Sequence, residues 1–259
     1  RLPKMEVNNY DPVADLYDIY VPVTFDIDFF LQETKKISGE VLELMSGTGR
    51  ISLPLIRAGV KLTCVDISAA LNTILQTKLR LMGLKADVYT MDVRQLAFSK
   101  KFAMTIIPFH SFAHITALDD QKRALARIRQ HLVPGGTFIC TLGNPQVRQT
   151  AVDGQYHLLR KYPIPEIQGT LLLWVVENYS AADPQVVEAL QLYEQYDRKG
   201  TLKSKRLLEL HFRLTSRAEF ETLAQAAGFR IKAFYGDYSY GQFVEQSSPY
   251  MIWLLENAA

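Results

Sequence analysis

A chain of 259 residues, 48% hydrophobic and 22% charged, has the length and composition of a globular protein with a sizeable core, which excludes a disordered or fibrous reading. A formal charge of only +2 argues against a nucleic-acid partner: Lys35-Lys36 and Lys203-Ser204-Lys205-Arg206 are the dense basic clusters, and each reads as a solvated face. No run of roughly eighteen apolar residues and no opening signal peptide occurs, so no membrane partner is expected, and the cysteines, Cys64 and Cys140, lie in strand-like runs as buried thiols that fit a cytoplasmic location.

In chain order, residues 8–36 read as two short helices. The tyrosines there recur at separations of seven and three, which puts Tyr10, Tyr17 and Tyr20 on one helix face. A strand over 41–45 runs into the turn Ser46-Gly47-Thr48-Gly49-Arg50 and a helix over 50–58. Glycine reaches positive φ without a Cβ penalty and keeps side chains out of the way of a ligand, and the helix start offers free N–H groups. By itself this turn fits close strand-to-helix packing as well as a nucleotide site. A second strand over 61–65 ends at Asp66, nineteen residues after Gly47. A carboxylate there is placed to accept hydrogen bonds from both hydroxyls of a ribose, although Asp66-Ile67-Ser68 also suits a helix cap.

The dinucleotide fingerprint requires a third glycine three residues after the second, and Ser52 stands at that position. Glu43 would bring negative charge toward a pyrophosphate but suits a cofactor carrying a cationic amino group and a sulfonium. Glu43-Leu44-Met45-Ser46-Gly47-Thr48-Gly49 with Asp66 resembles the first two motifs of class I S-adenosylmethionine-dependent methyltransferases. The resemblance continues through a helix over 69–82, a strand over 86–90 and then Met91-Asp92-Val93, where the family holds the adenine. Next come a strand over 102–107, the loop Pro108-Phe109-His110-Ser111-Phe112-Ala113-His114-Ile115 in the place of the family's active-site loop, a helix over 119–132 and a strand over 136–142. Met45 departs from the small residue that many members carry.

The resemblance implies a cofactor seat formed by Tyr17, Glu43, Met45, Gly47, Thr48, Gly49, Asp66, Ile67, Asp92, Val93 and Pro108. Histidine titrates near neutral pH, so two in the loop facing the transferred methyl are candidates for a base or an acceptor-orienting group, His114 first and His110 second. Tyr10, Phe109, Tyr238 and Tyr240 are the candidate acceptor contacts, the last two from a tyrosine- and glycine-rich stretch near the C-terminus. No Cys/His/carboxylate spacing suggests a metal, so none is expected.

After Gly143 the grammar changes. Residues 170–180, 186–197 and 203–214 are β-prone runs separated by Asp183-Pro184 and Lys199-Gly200, which predicts an antiparallel sheet of about three strands. A helix over 216–227 follows, capped by Thr215 or Ser216 with Glu219 near N3, and strands over 229–235 and 250–255 close the main sheet with a reversed final strand. The expected fold is α/β: a Rossmann-like, mostly parallel seven-stranded sheet with helices on both faces, plus an inserted antiparallel sheet over the active site. Residues 1–40 form helices covering the cofactor site, 41–145 and 215–259 the core, and 146–214 the inserted substrate-binding sheet.

The resulting expectation is methyl transfer from S-adenosylmethionine, leaving S-adenosylhomocysteine, to an N or O atom of a small molecule or small natural product. The inserted sheet resembles the substrate roof of amino-sugar and glycine-type N-methyltransferases. Two alternatives stand beside this: a methyltransferase of peptide, protein or RNA, and a dinucleotide-dependent oxidoreductase, disfavoured by the missing third glycine. A homodimer is compatible with the sequence, as is origin in a longer polypeptide, since the chain begins at Arg1.

Overall fold

The computed structural model describes residues 8–258. Residues 1–7 of the expected N-terminal cover, and Ala259, lie outside the described residues. The N-terminal segment is a 3-10 turn, Asp11–Leu16, continued by α1 (Tyr17–Tyr20), and then α2 (Ile27–Lys35). The alternating region comprises β1 (Val41–Leu44), α3 (Ser52–Arg57), β2 (Leu62–Asp66), α4 (Ala69–Leu81), β3 (Asp87–Thr90), β4 (Phe102–Ile107), α5 (Leu118–Gln130) and β5 (Leu132–Gly143). A short α6 (Pro145–Arg148) leads into β6 (His157–Ile164), β7 (Gly169–Tyr179), β8 (Val186–Tyr196) and β9 (Leu202–Arg213). The chain closes with α7 (Arg217–Ala226), β10 (Phe229–Tyr235) and β11 (Tyr250–Asn257).

The main sheet has the order β10-β11-β5-β4-β1-β2-β3. Strands β1 to β5 pair in parallel, as continuous apolar runs flanked by helices should. Only β11 is reversed, running antiparallel to both β5 and β10. The chain leaves β1 toward β2 on one side and returns through β4 on the other, so the strand order reverses between β1 and β4. Ligands bind beyond the carboxyl ends of strands at such a point.

The second sheet is an antiparallel meander, β6-β7-β8-β9, and it has four strands where the turn chemistry predicts three. The unpredicted strand, β6, is an edge: Leu158 and Leu159 are exposed and Pro163 interrupts the run, so no alternating pattern marks it. Val186–Tyr196 is a strand held on both sides, as its β-prone run predicts. On α7 the cap is Ser216, whose hydroxyl accepts from Glu219 N–H at 3.2 Å.

Three cores hold these layers together. One lies under α5 and α7 around Phe102, Phe138 and Trp253, and a second under α2, α3 and α4 around Phe29, Leu55 and Leu75. The third joins Val13 and Leu16 of the N-terminal segment to Leu171, Leu173, Tyr193 and Leu208 of the four-stranded sheet. That segment is therefore a strap clamped beneath a roof, across the carboxyl edge of the main sheet.

Candidate active site

The turn after β1 has the backbone that its glycines predict. Met45, Gly47 and Gly49 have φ of 57°, 56° and 90°, all left-handed. A Cβ on Gly49 would stand 2.4 Å from Leu75 Cδ1, so this glycine is fixed by packing against α4 and faces away from the cavity. At Gly47 a Cβ would meet only the Tyr17 ring at 3.9 Å, leaving the turn open to the cavity. Asp66, at the end of β2, ties the turn down: Oδ2 accepts from Gly47 N–H at 2.8 Å and Oδ1 from Ser68 N–H at 2.9 Å. Burial raises the Asp66 carboxyl, and those amide bonds pull it back. Ser68, rather than Asp66, caps α4, its hydroxyl accepting from Leu71 N–H at 3.0 Å.

A cavity of about 820 Å³ opens over this turn, within the range of small-molecule sites. Of the sequence-predicted residues, Tyr10, Tyr17, Met45, Gly47, Asp66, Ile67, Asp92, Val93, Phe109, His110 and His114 line it. Met45, Ile67, Met91 and Val93 supply apolar wall, and the lone pairs that Asp66 keeps beyond its two amide bonds supply acceptors, an acceptor and apolar set that fits a nucleoside with a ribose diol.

Six predicted residues do not line the cavity. Glu43 is buried behind the turn, where its carboxylate accepts from Ser52 Oγ at 2.6 Å and burial pushes its pKa up to about 8. It is protonated at neutral pH, and its expected place beside a cationic cofactor gives way to support of the turn. Thr48 donates its hydroxyl to Asp18 at 2.6 Å and its carbonyl accepts from Lys78, while Lys78 pairs with Asp18 at 2.6 Å, so Thr48 fastens the strap. Gly49 is the packing glycine just described. Pro108 is buried, and its carbonyl accepts from Ser111 N–H. Tyr238 and Tyr240 pack on Phe29 of α2, and the Tyr240 hydroxyl donates to Glu33 at 2.7 Å. The expected aromatic wall for an acceptor is instead part of the core on the other side of the sheet.

The loop after β4 holds Phe109 and His110 at φ of 56° and 61°, two consecutive strained residues of the kind that cluster at functional sites. The His110 ring stacks on Phe109 and on Tyr250, with centroids at 5.8 and 5.3 Å, and its Nδ1 has no partner among the described residues. Burial pushes its pKa down to about 4, so it is neutral at physiological pH. Burial also lowers His114. Asn8 grips the His211 backbone, accepting from N–H and donating to the carbonyl, both at 2.8 Å, and its Nδ2 lies 2.5 Å from His114 Nδ1. The same Nδ1 lies 3.2 Å from the His211 carbonyl, and Nε2 lies 3.3 Å from the Tyr10 hydroxyl, so both ring nitrogens are engaged. His114 therefore joins strap to roof, while His110 Nδ1 is left without a partner among the described residues.

Several cavity residues carry no local sequence signal. Arg94 wraps the Asp92 carboxylate, with Nε to Oδ1 and Oδ2 at 3.0 and 2.9 Å, and reaches Asp120 at 2.5 Å; burial raises Asp92 and the Arg94 bonds outweigh it. Arg50 forks onto buried Asp26, and its guanidinium stacks 4.6 Å from the Phe109 centroid, fixing the floor of the loop from below. Arg148, Glu177 and Gln191 come from α6 and the roof. Among the described residues no three of His, Cys, Asp and Glu gather as a metal site, and no helix is long and apolar enough to cross a membrane.

The family model described as "Methyltransferase domain" matches residues 41–136, the span that carries the glycine turn, Asp66, Asp92 and both loop histidines. A relative of this domain, an uncharacterized methyltransferase of Bacillus licheniformis, is 30% identical over 134 residues, which cover 51% of this chain and 61% of that protein. Among solved structures, an S-adenosylmethionine-dependent methyltransferase from Clostridium acetobutylicum superposes with TM-score 0.80 at 20% identity, covering 96% of this chain and 99% of that one. The sugar N-methyltransferase KedS8 from Streptoalloteichus superposes with TM-score 0.72 at 16% identity, covering 93% and 92%. At these identities the likeness is one of fold, and it extends over strap, methyltransferase domain and roof together. Of the two cofactor classes open from the sequence, the domain match falls on the methyltransferase side.

Proposed function

We propose that this chain transfers a methyl group from S-adenosylmethionine to an N or O nucleophile of a small molecule or small natural product. The observation that carries the reading is the pairing of Asp66 with the Gly47 amide at the point where strand order reverses, within a matched methyltransferase domain. The roof and strap favour a small acceptor, because the cavity beneath them, about 820 Å³, has the size of a small-molecule site. The fold shared with a sugar N-methyltransferase supports the same choice.

Asp66, Gly47, Met45, Ile67, Asp92 and Val93 would hold the cofactor, with Tyr17 over it from the strap. When bound, the cofactor supplies an electrophilic methyl on a sulfonium. The chain's own contribution is positional: strap and roof exclude water, and the strained Phe109-His110 loop sets the approach of the acceptor. The His114 imidazole and the Tyr10 hydroxyl orient the acceptor, and neutral His110 offers the nitrogen that can take a proton from it. Incubation with labelled methyl donor and a panel of amines, alcohols and carboxylates tests the reading. Label should enter at least one panel member, and calorimetry should register both donor and S-adenosylhomocysteine; absence of binding by either overturns it.

A further inference from the structure

The inner face of β7 is apolar through Leu171, Leu173 and Val175, and then places Glu177 over the cavity. Glu177 is 8% exposed, and its Oε1 accepts from Arg148 of α6 at 2.5 Å, while Oε2 has no donor among the described residues. The other cavity carboxylates belong to the cofactor half or are held by arginines: Asp66 sits on the glycine turn with an amide on each oxygen, Asp92 is held by Arg94, and Asp120 by Arg94 and Arg123. Glu177 is thus the carboxylate with an open oxygen in the roof half of the cavity. Arg148 is about a third exposed at its side chain and stacks on Phe212 at 4.8 Å while it bonds Glu177, so water can reach the guanidinium when a second cation takes its place. A nearly buried carboxylate costs desolvation unless a cation meets it, and one partly exposed guanidinium meets one of its oxygens only.

We propose that Glu177 is the acceptor-selecting residue of this site and that it binds the acceptor as an ammonium ion, in competition with Arg148. This rests on the methyltransferase reading and narrows its acceptor to primary or secondary amines. The neighbouring groups agree with the choice: both loop histidines are neutral and the cavity tyrosines keep their protons, so none of them supplies an anion for a cation to pair with. Before transfer the ammonium gives one proton to the ring nitrogen of His110 that is unpartnered among the described residues. Its nitrogen lone pair then forms the new N–C bond as the C–S bond breaks with its electron pair left on sulfur.

The test is ligand-observed NMR on protein loaded with S-adenosylhomocysteine, using matched probes: glucosamine and glucose, cyclohexylamine and cyclohexanol, phenethylamine and phenethanol. Saturation transfer is expected to an ammonium member and not to its hydroxyl twin. Glu177→Gln should weaken that binding roughly tenfold or more, with homocysteine-product affinity unchanged. Arg148→Gln should strengthen it, an opposite sign that a merely structural ion pair would not produce, and Glu177→Asp should restore part of the loss. Equal binding of both twins, no ammonium bound by loaded protein, or like-signed effects of the two substitutions would overturn the proposal. Failure to load S-adenosylhomocysteine at all would instead fall on the methyltransferase reading.

Discussion

The two halves of the cavity are built in opposite ways. The cofactor half is made by chain neighbours: β1, its turn and the end of β2 lie within 26 residues, Val41 to Asp66, and the Gly47–Asp66 bond closes them into one unit. The acceptor half is made by strangers. Asn8 of the strap meets His114 and His211 across separations of 106 and 203 residues, and Arg148 meets Glu177 across 29. The difference teaches where specificity can vary in this fold. A turn held by packing and backbone amides tolerates little change, whereas the roof can exchange its inner side chains without disturbing the cofactor seat.

Substitutions can break or sharpen this contrast. Gly49→Ala should do the most damage, because its left-handed φ and the contact with Leu75 each oppose a Cβ; we expect about 4 kcal/mol of lost stability in denaturant titration. Glu43→Gln should act through pH. The carboxyl titrates at 4.5 as its ordinary value and near 8 when folded, so the unfolded chain loses its proton first. The stability of the buried carboxyl is therefore fully present below pH 4.5 and lost as pH rises through 8. Between those limits the wild type should lose about 3 kcal/mol relative to Glu43→Gln, seen as diverging melting temperatures, with cofactor affinity nearly equal at low pH. Asp66→Ala should cost about 2.5 kcal/mol in S-adenosylhomocysteine binding, close to a hundredfold. His114→Asn should lower methyl transfer about tenfold while leaving cofactor affinity within about twofold, since it stands in the acceptor half. Tyr238→Phe should do least: its hydroxyl is buried without a partner among the described residues, so activity should hold and stability should change by less than about 1 kcal/mol.

The same contrast decides what the sequence reveals. The parallel strands, the reversed β11 and the capped α7 follow from apolar runs, glycine turns and cap residues, all local signals. Gly47, Asp66 and Asp92 are legible for the same reason, since their spacing along the chain sets their place at the strand ends. Glu43 misleads because a strand alternates faces: its charge is visible in sequence, but the side chain turns to Ser52, behind the turn. Tyr238 and Tyr240 mislead similarly, as an aromatic-rich loop serves a core as readily as a substrate wall. Strand β6 escapes notice because an edge strand needs no buried face, and Glu177 escapes because its role depends on Arg148, brought to it only by the roof.

The most direct test is calorimetric titration of S-adenosylhomocysteine into wild type, Asp66→Ala and Glu177→Gln protein. One site per chain in wild type, the same affinity in Glu177→Gln and a near-hundredfold loss in Asp66→Ala would establish a cofactor seat coded by the turn alone. No heat of binding in wild type, or equal affinity in Asp66→Ala, would contradict it.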